Sequence, residues 1–462
     1  MSAFRIEKDA IGEKKVPAEA YYGIQTLRAL EIFTVSGERP HPKLIWAYAC
    51  VKKAAALANA ELGAIPMPIG RAIAKACDEI LAGQLHEWFV VDIYGQGAGT
   101  SFHMNVNEVL ANRAAEILGG RIGGHDKVDS HDHVNYGQST NDTFPTATRL
   151  AVLAVLRDLD STLQNLEEAF FKKAKEFDAI LKSARTHLQD AVPIRLGQEF
   201  QGYGSALRRA RQAFGPASES LSEIALGATA AGTGINSAPG YRAKVLKKLA
   251  EETGLRLSPA RDLCEGLQSH HALATVSGAL RNYALELIRI TNDIRLLASG
   301  PFTGLAEIQL PALIPGSSIM PGKVNPSVPE MMNMVCFEMV GVDATVAMAT
   351  QAGQLDLNVM TPVSAHRLLK GADLFRNAVR VFTDGCVAGI VANRDRCMEL
   401  AGKSAALATA LNNLIGYARS AEITNEAKKR GISILKLLED PKFGTAKERA
   451  VFADLKKLTE PP

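Results

Sequence analysis

The sequence is poor in the residues that mark several common protein classes. Only six cysteines occur in 462 residues, Cys50, Cys77, Cys264, Cys336, Cys386 and Cys397, far apart and with no C-x-x-C pair. That spacing argues against both a disulfide framework and a zinc cluster, and reduced core thiols are expected. An excess of one charge is missing too: 52 basic against 49 acidic side chains leave +3, with no basic tract to grip a nucleic-acid backbone or an anionic membrane. Neither partner is expected. The N-terminal MSAFRIEKDAIGEKK is charged from Arg5 onward and lacks the apolar stretch of a signal peptide. No later segment reads as a membrane span, so the expected location is cytoplasmic.

Proline is rare across two central stretches, and apolar residues recur there three and four positions apart. Leu156, Leu159, Leu163, Leu166, Phe170, Ala174 and Phe177 fall on one helical face; Leu273, Val276, Leu280, Tyr283, Leu287, Ile290, Ile294 and Leu297 keep a stricter heptad. Helices of roughly 30 residues are about 45 Å long, more than a compact domain needs, so partner helices are expected, including some from other copies of the chain. Further helical stretches are read from about Pro329 to Met360 and from Val363 to Cys386. Strands and helices do not alternate, which argues against a doubly wound sheet and for an all-α fold. With 47% hydrophobic and 22% charged residues, the chain is long enough for two or three domains. We expect an N-terminal domain over 1–140, a central long-helix domain over 141–392 and a small helical domain over 393–462. The charged tail from Glu439 to Pro462 is expected to be only partly ordered.

Four polar segments interrupt the helical pattern: GQGAGTSFHMN (Gly95 to Asn105), GQSTND (Gly137 to Asp142), ARTHLQD (Ala184 to Asp190) and PGSSIMPGKVNP (Pro315 to Pro326). Three of them lead into helix-like sequence. Helix starts offer unpaired N–H groups and a positive dipole end, so several together can hold a dianion. Capping alone explains GQSTND equally well, because Ser, Thr, Asn and Asp are the usual caps. The Gly-rich LGATAAGTGIN (Leu226 to Asn236) lacks the lysine and the fold context of a phosphate loop. His187 alone reads as well structural as functional. The HDH run at 131–133 and the His270–His271 pair have no Cys or carboxylate cluster at ligand spacing, so no metal and no cofactor are expected.

Gly316 to Pro326, GSSIMPGKVNP, resembles the signature loop of the aspartase/fumarase superfamily. The resemblance extends to Tyr21–Ala29 (YYGIQTLRA), Asn105–Ala111, Asp132–Asn135 (DHVN), Gln138–Asp142, Arg185–Asp190 and Leu357–Val363. It implies a three-domain, all-α fold, a homotetramer around a bundle of long helices, and active sites shared between subunits. It implies a small dicarboxylate substrate and an elimination that leaves fumarate. Ser317 is then the base, as a serine oxyanion. Thr100, Ser139, Thr140 and Ser318 would donate to the carboxylate that becomes the aci-acid, Lys323 and Asn325 would hold the other carboxylate, and Asn141, Thr186 and His187 would face the leaving group. Glu330 would orient His187.

Two branches of the family compete. YYGIQTLRA, GAGTS, QSTND, DHVN and the NVM of Asn358–Met360 resemble the branch that releases ammonia from L-aspartate. MNVNEV (Met104 to Val109), the His187–Glu330 pair and ALNNLIGY (Ala410 to Tyr417) resemble the branch that releases water from L-malate. The balance favours ammonia, with a substituted aspartate a more distant choice. A non-catalytic helical scaffold is a further alternative, and the joint presence of Ser317, Lys323, Asn325, Thr100 and His187 speaks against it. His103 stands where the family usually has Asn, Phe302 where a basic residue is common, and Asp129 and Ser130 replace the usual residues before DHVN.

Overall fold

The computed structural model describes residues 4–452 and 459–460. Six helices carry the argument: α1 (Pro42–Glu61), α2 (Thr100–Ile117), α3 (Thr140–Glu176), α4 (His271–Leu297), α5 (Ser327–Gln351) and α6 (Thr361–Gly385). The fold is mostly helical, and the described strands form four two-stranded sheets. At 37 residues, α3 is roughly 55 Å long. The seven apolar positions of its predicted face and the eight of the α4 heptad are all buried, each fully buried side chain contributing on the order of 1.5–3 kcal/mol of transfer free energy.

The chain forms two compact units. One comprises Met1–Asp160, Ala213–Asn282 and Glu338–Phe375; the other comprises Ser161–Gln212, Tyr283–Phe337 and Arg376–Pro462. In the first, α1 packs along the Met67–Leu81 helix, and Tyr48, Phe102 and Phe144 meet edge to face with centroids 5.2–6.5 Å apart. In the second, Phe170 lies among Phe200, Tyr203 and Phe382 at 6.0–6.4 Å. A separate C-terminal cluster of that unit gathers Leu407, Leu411, Ile423, Ile434, Leu437 and Phe443.

Three details differ from expectation. The third helical stretch stops at Gln351 rather than near Met360. Asn358 turns its amide back to donate to the Ala349 and Thr350 carbonyls at 3.0 and 3.1 Å, capping the helix end, and Leu355 lies at φ +51°. ARTHLQD is a β-hairpin, β1 (Leu181–Thr186) against β2 (Gln189–Arg195), with a register shift between Ser183 and Arg185. Finally, α5 is long and apolar enough to cross a membrane by length and composition, with mean hydropathy 1.3 in its most apolar window and 39% of that window buried. The physical reason is that Met, Val and Ala occupy more than one face: Met332, Cys336, Met339 and Val346 are buried, while Met334, Phe337 and Met348 are more than half exposed. Of the charged tail, a helix over Ala446–Val451 opens with a Thr445–Glu448 capping box; residues 453–458 and 461–462 lie outside the described residues.

Candidate active site

Two groups of predicted residues are described in turn, one in each unit. In the first unit, Ala98 and Gly99 turn the chain into α2 through left-handed backbone, φ +60° and +87°. A Cβ on Gly99 would sit 2.0 Å from the Phe144 ring, so only glycine lets the start of α2 lie against the first turn of α3. Thr100 is the first residue of α2 and half-buried. Val359, two residues before α6, completes the wall: its carbonyl accepts from Ala98 N at 2.7 Å. Thr100, Ser139, Thr140 and Asn141 are thus brought together around adjacent helix starts, the arrangement that suits a carboxylate.

The capping reading of GQSTND is also correct. Ser139 Oγ accepts from Asn141 N at 3.2 Å, and its carbonyl accepts from Thr143 N at 3.1 Å. Asp142 is fully buried and accepts from Ser139 N, Gly227 N and Thr229 N, each at 3.0 Å. The Gly-rich run therefore spends two of its N–H groups on a carboxylate of its own chain rather than on a phosphate. Burial pushes the Asp142 carboxyl up to about 6. Asn141 Nδ2 donates to the Ala230 carbonyl at 2.8 Å, pinning the same run to the start of α3.

Behind Thr140 lies a cluster that the sequence reading missed. Lys52, fully buried in α1, has its Nζ 2.8 Å from His103 Nε2, 2.9 Å from Gln138 Oε1 and 3.1 Å from Asn135 Oδ1. His103 Nδ1 lies 2.7 Å from Thr140 Oγ1. Burial brings the Lys52 amine down to about 7, and burial followed by the Lys52 charge holds His103 well below the usual imidazole range. The available signal was a lysine among the apolar residues AYACVKKAAALANA, where a core position calls for a partner.

In the second unit, the hairpin that carries Thr186 and His187 is anchored at its base and bare at its tip. Lys182 and Glu307, both buried, pair at 3.0 Å; Lys182 also meets Glu199 at 2.7 Å, and Arg185 meets Glu307 at 2.9 Å. At the tip His187 and Leu188 take φ +55° and +58°, the two central positions of a turn that glycine and asparagine normally fill. Such backbone costs on the order of 1–3 kcal/mol per residue and tends to cluster where function requires it. Thr186 and His187 are exposed. A groove of about 750 Å³ runs from Leu188, Gln189 and Asp190 to Tyr417, Asn425 and Lys428.

The signature loop folds around Ser317. Its Oγ accepts from Met320 N at 2.9 Å and Ile319 N at 3.2 Å. Both donors favour the deprotonated oxygen over the hydroxyl. The loop is closed by Gly316 N donating to the Lys323 carbonyl at 2.8 Å and by Asn325 Nδ2 donating to the Gly316 carbonyl at 2.6 Å. A Cβ on Gly316 would meet Asn325 N at 2.6 Å. Asn325 therefore braces the loop with one amide hydrogen and keeps the other. Ser318 and Lys323 are exposed. Glu330, in the first turn of α5, approaches Arg295 at 4.0 Å within the chain and makes no hydrogen bond or ion pair with His187 among the described residues.

A family model described as lyase matches residues 12–341. The aspartate ammonia-lyase of Bacillus subtilis (strain 168) is 46% identical over 458 residues, 99% of this chain and 96% of the relative. Among solved structures, the fumarate lyase:delta crystallin from Brucella melitensis bound to cobalt is similar at TM-score 0.96 and 44% identity, covering 99% of this chain and 100% of that one. The recombinant class II fumarase from Schistosoma mansoni is similar at TM-score 0.93 and 37% identity, covering 99% and 98%.

Proposed function

Because this chain belongs to the aspartase/fumarase family of lyases, we propose that it catalyses the reversible deamination of L-aspartate to fumarate and ammonia. The observation that carries the choice of substrate is the 46% identity to an aspartate ammonia-lyase over 99% of the chain, against 37% to a class II fumarase.

The chemistry has one difficult step. A C–H next to a carboxylate is weakly acidic until the resulting aci-carboxylate dianion is stabilised, so oriented donors matter first and a placed base second. Ser317 Oγ, as the alkoxide, takes the proton from C3; the electron pair moves into the adjacent carboxylate. Expulsion of the C2 amino group as ammonia then forms the double bond, and Ser317 returns its proton to the solvent or to ammonia. The two N–H donors on Ser317 Oγ support the base role. Thr100, Ser139, Thr140 and Ser318 donate to the aci-carboxylate, Lys323 and Asn325 hold the distal carboxylate, and Asn141, Thr186 and His187 face the leaving ammonia.

Glu330 orients His187 from another subunit. The active sites are shared in a homotetramer, a reading supported by the exposed apolar residues Met334, Phe337 and Met348 on α5 and Leu374 and Val381 on α6. The three-part division at residues 140 and 392 is our proposal for its domains, supported by the start of α3 at Thr140 and of a C-terminal helix at Arg394. A cytoplasmic setting fits the six free cysteines. The test is fumarate formation, followed by its ultraviolet absorbance, from L-aspartate and from L-malate in parallel. Turnover of aspartate is expected; turnover of malate alone overturns the proposal in favour of a fumarate hydratase.

A further inference from the structure

The mechanism above does not use Lys52, although it is a fully buried amine two hydrogen bonds from Thr140. The amide groups around it are oriented by their other ends. Asn135 Nδ2 donates to the Gln138 carbonyl at 3.3 Å, and Gln138 Nε2 donates to the Val134 and Tyr136 carbonyls at 3.0 and 3.3 Å. Both amide oxygens therefore face Nζ, and an oxygen can only accept. An ammonium has three N–H groups and no acceptor. Two go to Asn135 Oδ1 and Gln138 Oε1, and the third goes to His103 Nε2.

That third bond fixes the imidazole. Nε2 must be unprotonated, the ring hydrogen sits on Nδ1, and Nδ1–H donates to Thr140 Oγ1 at 2.7 Å. A hydroxyl that accepts from His103 keeps its single hydrogen for another partner. A neutral amine would reverse the order: it would spend its two hydrogens on the amides, accept from Nε2–H, and leave Nδ1 to take the Thr140 hydrogen. We propose that charged Lys52, acting through His103, turns the Thr140 hydroxyl hydrogen toward the substrate carboxylate, which makes Lys52 and His103 positioning residues for the aci-carboxylate. This rests on the reading of Thr140 as a carboxylate donor.

The charged groups around the pair support this polarity. Burial opposes the ammonium, and the Asp142 carboxylate on α3 favours it; the Cys77 thiol on the Met67–Leu81 helix is held neutral by burial. His131 adds a small effect of the same sign as Lys52 at the ring, and Tyr48 stacks on it at 5.8 Å. A bound dianion adds to the groups that favour charge on Lys52.

The experiment uses full-length protein labelled with ¹⁵N at its ten histidines and examined by solid-state NMR at pH 6. His103, identified as the resonance lost in His103→Asn, is expected as the Nδ1-protonated tautomer, which is lost in Lys52→Met. An Nε2-protonated ring in the wild type overturns the proposal. If Lys52→Met does not fold, kinetics of His103 variants decide. His103→Leu should lower kcat/KM for L-aspartate roughly 30-fold, the value of one good hydrogen bond to a charged group, with most of the loss in kcat. His103→Asn, whose amide N–H can still donate to Thr140, should recover most of it. In a Thr140→Val background His103→Leu should cost nothing more; additive losses overturn the relay. A wild type without aspartate turnover defeats the function proposed above and leaves the tautomer measurement intact.

Discussion

At the start of α3, the side chains of Thr140, Asn141 and Asp142 all bond to the chain itself, whereas at the tip of the β1–β2 hairpin Thr186 and His187 make no side-chain hydrogen bond or ion pair among the described residues. The first region is set by burial and spends its polar atoms internally to orient a few donors. The second concentrates its buried contacts at the base, in Lys182, Arg185, Glu199 and Glu307, and presents Thr186 and His187 at an exposed tip with left-handed backbone. Orientation fixed within one chain is available before assembly. Groups left bare at a tip keep their polar atoms free for a partner from outside the hairpin.

The largest test of this contrast is Ser317→Ala. It should lower turnover by at least ~10³-fold, the upper range for a positioned base, with unfolding midpoint and oligomeric state little changed because Ser317 is only half-buried and its neighbours 318–324 are exposed; appreciable residual turnover would remove Ser317 from the base role. Next comes the buried amine. The folded pKa of Lys52 is depressed to about 7 from 10.5, so this group disfavours folding below about pH 7 and ceases to do so as pH rises toward 10.5. Relative to Lys52→Met, the wild type should gain up to ~4 kcal/mol in denaturant unfolding between pH 7 and 10; a flat difference would show that the amine does not titrate there.

Gly99→Ala should then cost about 3 kcal/mol, combining a Cβ inside the Phe144 ring with a left-handed φ, and should weaken the first region alone. A substitution with no effect on the unfolding midpoint would mean that the two helix starts are not so closely apposed. The smallest effect is expected at the strained tip: Leu188→Gly should raise stability by ~0.5–1 kcal/mol by relieving φ +58°, and a loss would show that the Leu188 side chain is held by packing.

Much of the molecule was readable from residue spacing. The buried faces of α3 and α4 followed the apolar period because each helix has a continuous core-facing seam, and GSSIMPGKVNP could be recognised because its eleven residues form one contiguous run, which Gly316 and Asn325 close on itself. The hairpin was not readable, since its two strands are short and are held by an ion cluster that joins residues 182 and 307, far apart in sequence. The end of α5 escaped for a similar reason: the group that caps it, Asn358, lies seven residues beyond Gln351. In the sequence Lys52 goes unmarked, and His103 stands out only as a family departure. Only their three-dimensional meeting with Gln138 and Thr140 makes them a chain of oriented hydrogens.

The pair of amide hydrogens on Ser317 Oγ has a chemical consequence. Those donors come from Ile319 and Met320 of the same turn, so the stabilisation they offer to negative charge on the oxygen is set by the local backbone shape. Opening the turn would withdraw both N–H groups from the oxygen at once and closing it would return them, so the polarity felt at that atom follows the shape of the loop.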